Sequence, residues 1–186
     1  MSQVSFSRSL DTARSAELPF LLIGGHAVFA HGHSRTTLDV DLIVPDISLP
    51  SWKVWAKENH YVQAHETDAF LQFKMSPNLS GCPLDLMKTD SATFAKLKLG
   101  AKDFSFSGVT LPVVGLIHLL ALKLHALKTP TRQPFHAQDW ADLLALVRKN
   151  RLDPLSPDFQ DLLQAHATPE LRRSIQQEFS RSPATS

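Results

Sequence analysis

One stretch constrains this chain more than any other. The short apolar run Pro19-Phe20-Leu21-Leu22-Ile23 is closed by Gly24-Gly25; thirteen residues, His26 to Leu38, separate it from Asp39-Val40-Asp41, which runs on into Leu42-Ile43-Val44. Both apolar runs read as buried strands, the first ended by glycines and the second by Pro45. In a strand, residues i and i+2 share a face, so Asp39 and Asp41 hold two carboxylates side by side while Val40 enters the core. Paired carboxylates among apolar residues repel and are costly to bury, and a cation between them removes both costs.

Hard oxygen ligands with open positions left over suit Mg²⁺, with Mn²⁺ as the alternative ion. Gly24-Gly25 falls where strand turns into helix, so the backbone can come close to a ligand and free N–H groups face an anion. Phosphate at the glycines and metal on the neighbouring strand are the parts that phosphoryl or nucleotidyl transfer needs. Taken singly, each is weak: an Asp-x-Asp is commonly a solvated turn, and a Gly-Gly after a strand is commonly only a turn.

Composition narrows the class. The chain has 186 residues, with 19 Lys+Arg against 18 Asp+Glu. A net charge of +1 excludes a globally basic nucleic-acid clamp, so any polyanion must meet a local patch. The lone Cys82 excludes an intrachain disulfide and a Cys-rich zinc framework, and a reducing, cytoplasmic setting is expected. The longest apolar stretches, Leu18 to Ile23 and Val113 to Leu122, fall short of the ~18–20 residues that cross a bilayer, so no membrane partner is expected.

The remaining pattern predicts an α/β (α+β) fold. Strands are expected at 61–66, 69–75 and 83–87, with helices at 26–31 and 51–59, the latter begun by Ser51. From Gly115 the pattern turns helical, over 116–127, 136–149, 159–166 and 169–179, while the first eight residues and the tail from Ser180 are expected to fray. The expected organisation is a core over 1–114 and a helical region over 115–186 packed on it as one compact unit.

The string Gly24-Gly25-His26-Ala27, then His31-Gly32, then Arg35-Thr36-Thr37-Leu38-Asp39-Val40-Asp41 resembles the DNA-polymerase-β-like nucleotidyltransferases, and among them the nucleotidyltransferase-type abortive-infection toxins (AbiEii/AbiGii). The resemblance spans about residues 18–150. It implies a mixed sheet with flanking helices followed by a C-terminal helical bundle. It also implies a third carboxylate on a later strand, for which Asp85 in Pro83-Leu84-Asp85-Leu86-Met87 is placed, the alternative being a structural Asp. The implied helical features are Lys123 on a Leu-rich helix, a downstream Arg132, and Asp139 on a further helix. Two positions depart from the family's habit: Gly25 stands where a serine is frequent, and Gln138 where a lysine is.

At 100° per residue Leu116, Leu120, Lys123 and Leu127 form one stripe, so Lys123 either snorkels or points at an anion, a triphosphate or Asp139. Asp139 falls in the first turn of its helix, where the dipole alone would suit an acid, and Asp142 is expected on the solvent side.

The expected activity is Mg²⁺-dependent transfer of a nucleoside monophosphate from an NTP, ATP among them, to an acceptor hydroxyl on RNA such as tRNA or on protein, with a small molecule such as an aminoglycoside also fitting. A toxin role with a cognate antitoxin partner is implied by the resemblance. Asp39, Asp41 and Asp85 are the expected metal ligands and catalytic residues; Gly24, Gly25, His26, Arg35, Lys123, Arg132 and Asp139 are the expected nucleotide-binding residues. Two competing readings stay open: a transition-metal phosphohydrolase using His26, His31 and His33 with Asp39 and Asp41, and a catalytically idle fold that serves as a binding or antitoxin-like protein.

Overall fold

The computed structural model describes residues 3–181 apart from 78 and 80. In chain order its elements are α1 (Gln3–Ser15), β1 (Leu21–Leu22), α2 (Gly24–Ala30), β2 (Val40–Pro45), α3 (Leu49–Glu58), β3 (Tyr61–Glu66), β4 (Phe70–Met75), β5 (Leu84–Thr89), α4 (Ser91–Leu99), β6 (Lys102–Phe106), β7 (Val109–Val113), α5 (Leu116–Lys128), α6 (His136–Lys149), α7 (Pro157–His166) and α8 (Pro169–Arg181). Short 3-10 helices precede α3 and α6, at Asp46–Ser48 and Pro130–Phe135. The chain divides into two compact units, one of residues 1–30 and 35–115, the other of 31–34 and 116–186. Among the described residues no helix is long and apolar enough to cross a membrane.

The first unit is built on a seven-stranded mixed sheet in the order β3-β4-β5-β2-β1-β7-β6. Its centre is β2, antiparallel to β1 and parallel to β5. Burial explains the wholly apolar stretch of this strand: Val40, Leu42, Ile43 and Val44 are all buried. The second unit is helical, with α5 packed on α6 and α7. Leu119, Leu120 and Leu124 of α5, Leu143, Leu146 and Val147 of α6, and Leu163 of α7 are all buried.

Three expectations at the level of elements are corrected. Residues 3–8 of the stretch expected to fray are helical, while residues 1 and 2 lie outside the described residues: α1 buries Phe6, Leu10 and Ala13 at spacings of four and three, so a Ser-rich polar sequence still carries one apolar stripe. Helix α3 starts at Leu49 rather than at Ser51, because Pro50, with its fixed φ and missing N–H, suits the first helical turn. The apolar run 19–23 forms only a two-residue strand, since Ile23 already leads into α2, which includes both glycines. Residues 182–186 of the tail lie outside the described residues.

Candidate active site

Parallel pairing of β2 with β5 sets Asp41 directly opposite Asp85, and Asp39 stands one residue ahead of β2. One carboxylate oxygen from each of the three lies within 4.8 Å of the others, and all three residues are half-buried. Each flanking carboxylate has one neutral donor. Thr37 Oγ1 donates to Asp39 Oδ1 at 3.0 Å, and Gln72 Nε2, from the paired position on β4, donates to Asp85 Oδ1 at 2.9 Å. Burial raises the pKa of Asp85, the nearby charge of Asp39 adds to the rise, and the Gln72 amide opposes it. Three converging half-buried carboxylates fit a hard divalent cation.

The two glycines have a local reason. Antiparallel pairing of β1 with β2 places Leu22 opposite Leu42, and Ile23 N–H donates to Asp41 O at 2.9 Å. The chain then turns at Gly24 with φ +57°, and a Cβ there would lie 1.8 Å from Asp41 Oδ2. At Gly25 a Cβ would lie 2.6 Å from Thr37 Oγ1 and 2.9 Å from Arg35 Nη2. The close approach expected of a ligand is therefore also an approach of the site's own side chains, and it brings the Arg35 guanidinium against the start of α2. Arg35 Nη1 donates to the Thr36 carbonyl at 3.0 Å.

His26 is 7% exposed, with its ring stacked on Phe6 at 3.8 Å between centroids. Burial lowers its pKa from 6.5 to about 4, against the pull of Asp39, so it stands as a neutral ring at pH 7. Beside these groups a cavity of about 480 Å³ is lined by Phe6, His26, Phe29, Arg35, Leu38 and Cys82 among others. Phe29 and Phe6 carried no signal in the linear sequence, because what gives them their place is their shared contact with Phe106 of β6.

In the helical unit, Lys123 Nζ donates to Asp139 Oδ1 at 2.9 Å and to Asp142 Oδ2 at 2.6 Å. Gln138 Nε2 adds a bond to Asp142 Oδ1 at 3.0 Å. Lys123 thus points at an anion supplied by the protein. Asp142 corrects the expectation of a solvated position: it is 0% exposed, because α6 buries its Asp142 side as well as its leucine side. Arg132 lies in the 3-10 helix before α6, and its side chain is outside the described residues.

The histidine-rich alternative does not assemble. Among the described residues the one group of three or more metal-binding side chains is Asp39, Asp41 and Asp85. His31 and His33 belong to the other unit, where the His31 carbonyl accepts from Asn150 Nδ2 at 2.9 Å.

The mixed sheet with its flanking helices and C-terminal helices is the fold of solved nucleotidyltransferases, and this chain has that fold. It is similar to ANT(2")-Ia, solved in complex with adenylyl-2"-tobramycin, with a TM-score of 0.66 and 15% identity over 88% of this chain and 95% of that one. An antigenic nucleotidyltransferase-like protein from Paracoccidioides brasiliensis matches with a TM-score of 0.60 and 14% identity, over 97% of this chain and 90% of that one. The lincosamide antibiotic adenylyltransferase LnuA, solved with lincomycin bound, matches with 0.56 and 13%, over 78% and 98%. No protein-family model matches the chain, and no curated protein matches it by sequence.

Proposed function

We propose that this chain is a divalent-metal-dependent nucleotidyltransferase that moves a nucleoside monophosphate from an NTP to an acceptor hydroxyl and releases pyrophosphate. The observation that carries the reading is the convergence of Asp39, Asp41 and Asp85, from β5 and from β2 and its approach, within 4.8 Å. The three carboxylates would hold Mg²⁺ or Mn²⁺, which when bound supplies charge neutralisation and polarisation of phosphate oxygens. Arg35, against Gly25, binds the negative charge of the triphosphate. Thr37 and Gln72 orient the outer carboxylates by occupying one oxygen of each.

In the reaction the acceptor oxygen forms a bond to the α-phosphorus while the bond to the bridging oxygen of the β-phosphate breaks, and pyrophosphate leaves. The acceptor proton passes to Asp85, whose pKa is raised by burial. The acceptor class is RNA or protein on the resemblance of Arg35-Thr36-Thr37-Leu38-Asp39-Val40-Asp41 to the toxin group, in which case a cognate antitoxin is a further partner. The neighbours solved with adenylyl-2"-tobramycin and with lincomycin favour a small hydroxylated molecule instead. Incubation with α-labelled NTPs, Mg²⁺ and a fractionated lysate decides among them by which fraction carries label. Absence of label in every fraction, with all four nucleotides and with Mn²⁺ as well, favours the idle binding protein.

A further inference from the structure

The three carboxylates stand at the inner margin of an open sheet face. Directly paired residues share a face, and the register runs from Asp41 to Asp85, from Asp85 to Gln72 and from Gln72 to His65. One row of side chains therefore leads from the centre of the sheet to its edge at β3. Phe70 and Lys74, two residues to either side of Gln72 on β4, lie on the same face, as does Val62, which is paired with Lys74. Val62, His65, Phe70 and Lys74 are all exposed, whereas Tyr61, Leu71, Phe73, Leu84 and Leu86 on the opposite face are buried. This part of the sheet is packed on one side and bare on the other, and Asp85 borders the bare side.

Three kinds of chemistry lie on it in a fixed order. Phe70 and Lys74 are the two diagonal neighbours of Asp85, on opposite sides of it and each ~7–8 Å away between Cα atoms. A ring, a carboxylate and an ammonium thus follow one another along the strands. Burial raises the pKa of Asp85, and the Lys74 ammonium is close enough to oppose the rise. The acids of the β3–β4 hairpin are directed elsewhere. Glu66 is paired with Leu71 on the opposite face and held by Lys53 and Lys88, and Asp68 lies in the turn beyond Phe70, at the other end of β4 from Lys74. A polycationic acceptor approaching Asp85 across this face meets the charge of Lys74. A terminal nucleotide presents a base, a sugar hydroxyl and a phosphate in the order of the three groups.

We propose that the bare face of β3 and β4 is the acceptor platform and that it receives the unpaired 3′ end of an RNA strand, with the terminal base on Phe70, the ribose hydroxyl at Asp85 and the phosphate at Lys74. The inference rests on the nucleotidyl-transfer reading and names the acceptor for it. The 3′-oxygen bonds to the α-phosphorus, its proton goes to Asp85, the bond to the bridging oxygen breaks, and pyrophosphate leaves a strand one nucleotide longer. The face runs on to Val62 and His65 at the edge, two strand spacings or ~10 Å from Asp85, which gives the preceding nucleotide a place that a free nucleotide would leave empty.

The test uses the full chain in Mg²⁺ and a mixed-sequence single-stranded RNA pool about 12 nucleotides long, with binding read by fluorescence anisotropy. The wild type is expected to bind the pool, and Phe70→Ala to raise the dissociation constant about 5- to 150-fold. Lys74→Gln is expected to reduce the slope of log affinity against log salt by about 0.7, the loss of one phosphate contact on a single strand. Lys57→Gln, exposed on α3, should change neither. With α-labelled NTP the wild type is expected to label the pool at its 3′ ends, and Phe70→Ala to raise the KM for RNA and not that for NTP. A pool that does not bind, or binds equally to Phe70→Ala and with an unchanged salt slope to Lys74→Gln, overturns the platform. Label passing to an aminoglycoside or to protein and not to RNA also overturns it, while leaving nucleotidyl transfer intact. No label on any acceptor overturns both. Because Phe70 and Lys74 are exposed, melting curves close to that of the wild type show that the variants are folded.

Discussion

A Cβ on Gly24 would overlap Asp41 Oδ2, the two atoms being 1.8 Å apart. The glycine and the aspartate are seventeen positions apart in sequence and touch because β1 and β2 are antiparallel neighbours. Gly24 is therefore as much part of the proposed metal site as the carboxylate it accommodates, and its φ of +57° adds a second reason for the residue.

Gly24→Ala is expected to displace the Asp41 carboxylate. A displacement of about 1 Å at a reacting centre costs on the order of 10²-fold in rate, so kcat should fall by that factor or more. Affinity for Mn²⁺, read by electron paramagnetic resonance, should fall with it. Full Mn²⁺ affinity in a folded Gly24→Ala protein would contradict the placement of Asp41 among the ligands.

Crowded carboxylates predict an unusual stability pattern. In EDTA, Asp41→Asn relieves repulsion with Asp39 and Asp85 and should raise the Tm relative to wild type. Millimolar Mg²⁺ should raise the Tm of the wild type and do little for the variant. Equal Mg²⁺ shifts in both proteins would place the ion elsewhere.

Lys123 sits buried against Asp139 and Asp142, one ammonium for two carboxylates. Lys123→Met leaves both acids without it, and breaking a buried pair in this way costs about 3–5 kcal/mol. Replacing Lys123, Asp139 and Asp142 together by Met, Leu and Leu should cost less than the single change, as seen in urea midpoints. If the single variant is as stable as the wild type, the buried ion group does not hold α5 to α6.

Glu66 bridges Lys53 and Lys88, each at 2.8 Å. Hydrogen bonds from these two ammonium groups lower its pKa from 4.5 to about 2. A carboxylate lowered in the folded state contributes stability that is present above about pH 4.5 and is lost as the pH falls towards 2. Acid titration of unfolding should show this loss in the wild type and not in Glu66→Gln, and added salt should shrink the difference because the group is solvent-facing.

Much of the site was legible because its signals are local. An Asp-x-Asp between apolar neighbours and a strand closed by glycines depend on period-two geometry and on turn chemistry, whereas Asp85 came from the family resemblance. What the sequence could not show depends on pairing. That Gln72 meets Asp85 follows from the register of β4 with β5, and that Gly24 meets Asp41 follows from that of β1 with β2. The helical wheel placed Lys123 correctly in an apolar stripe but put Asp142 outside, since a wheel describes one buried face and α6 buries more than one. Helix α1 escaped notice because Phe6, Leu10 and Ala13 are too sparse among serines to suggest a core face until β6 and β7 are there to receive them.

The claim at the centre of this account is that the α-phosphorus is the point of attack. The most direct measurement supplies the protein and its acceptor fraction with NTP labelled at either the α- or the γ-phosphate, for the wild type and Asp41→Asn. The account predicts that wild type attaches the α-label to the acceptor and releases the γ-label as pyrophosphate, and that Asp41→Asn does neither. Transfer of the γ-label to the acceptor, or α-label incorporation that survives Asp41→Asn, would contradict it.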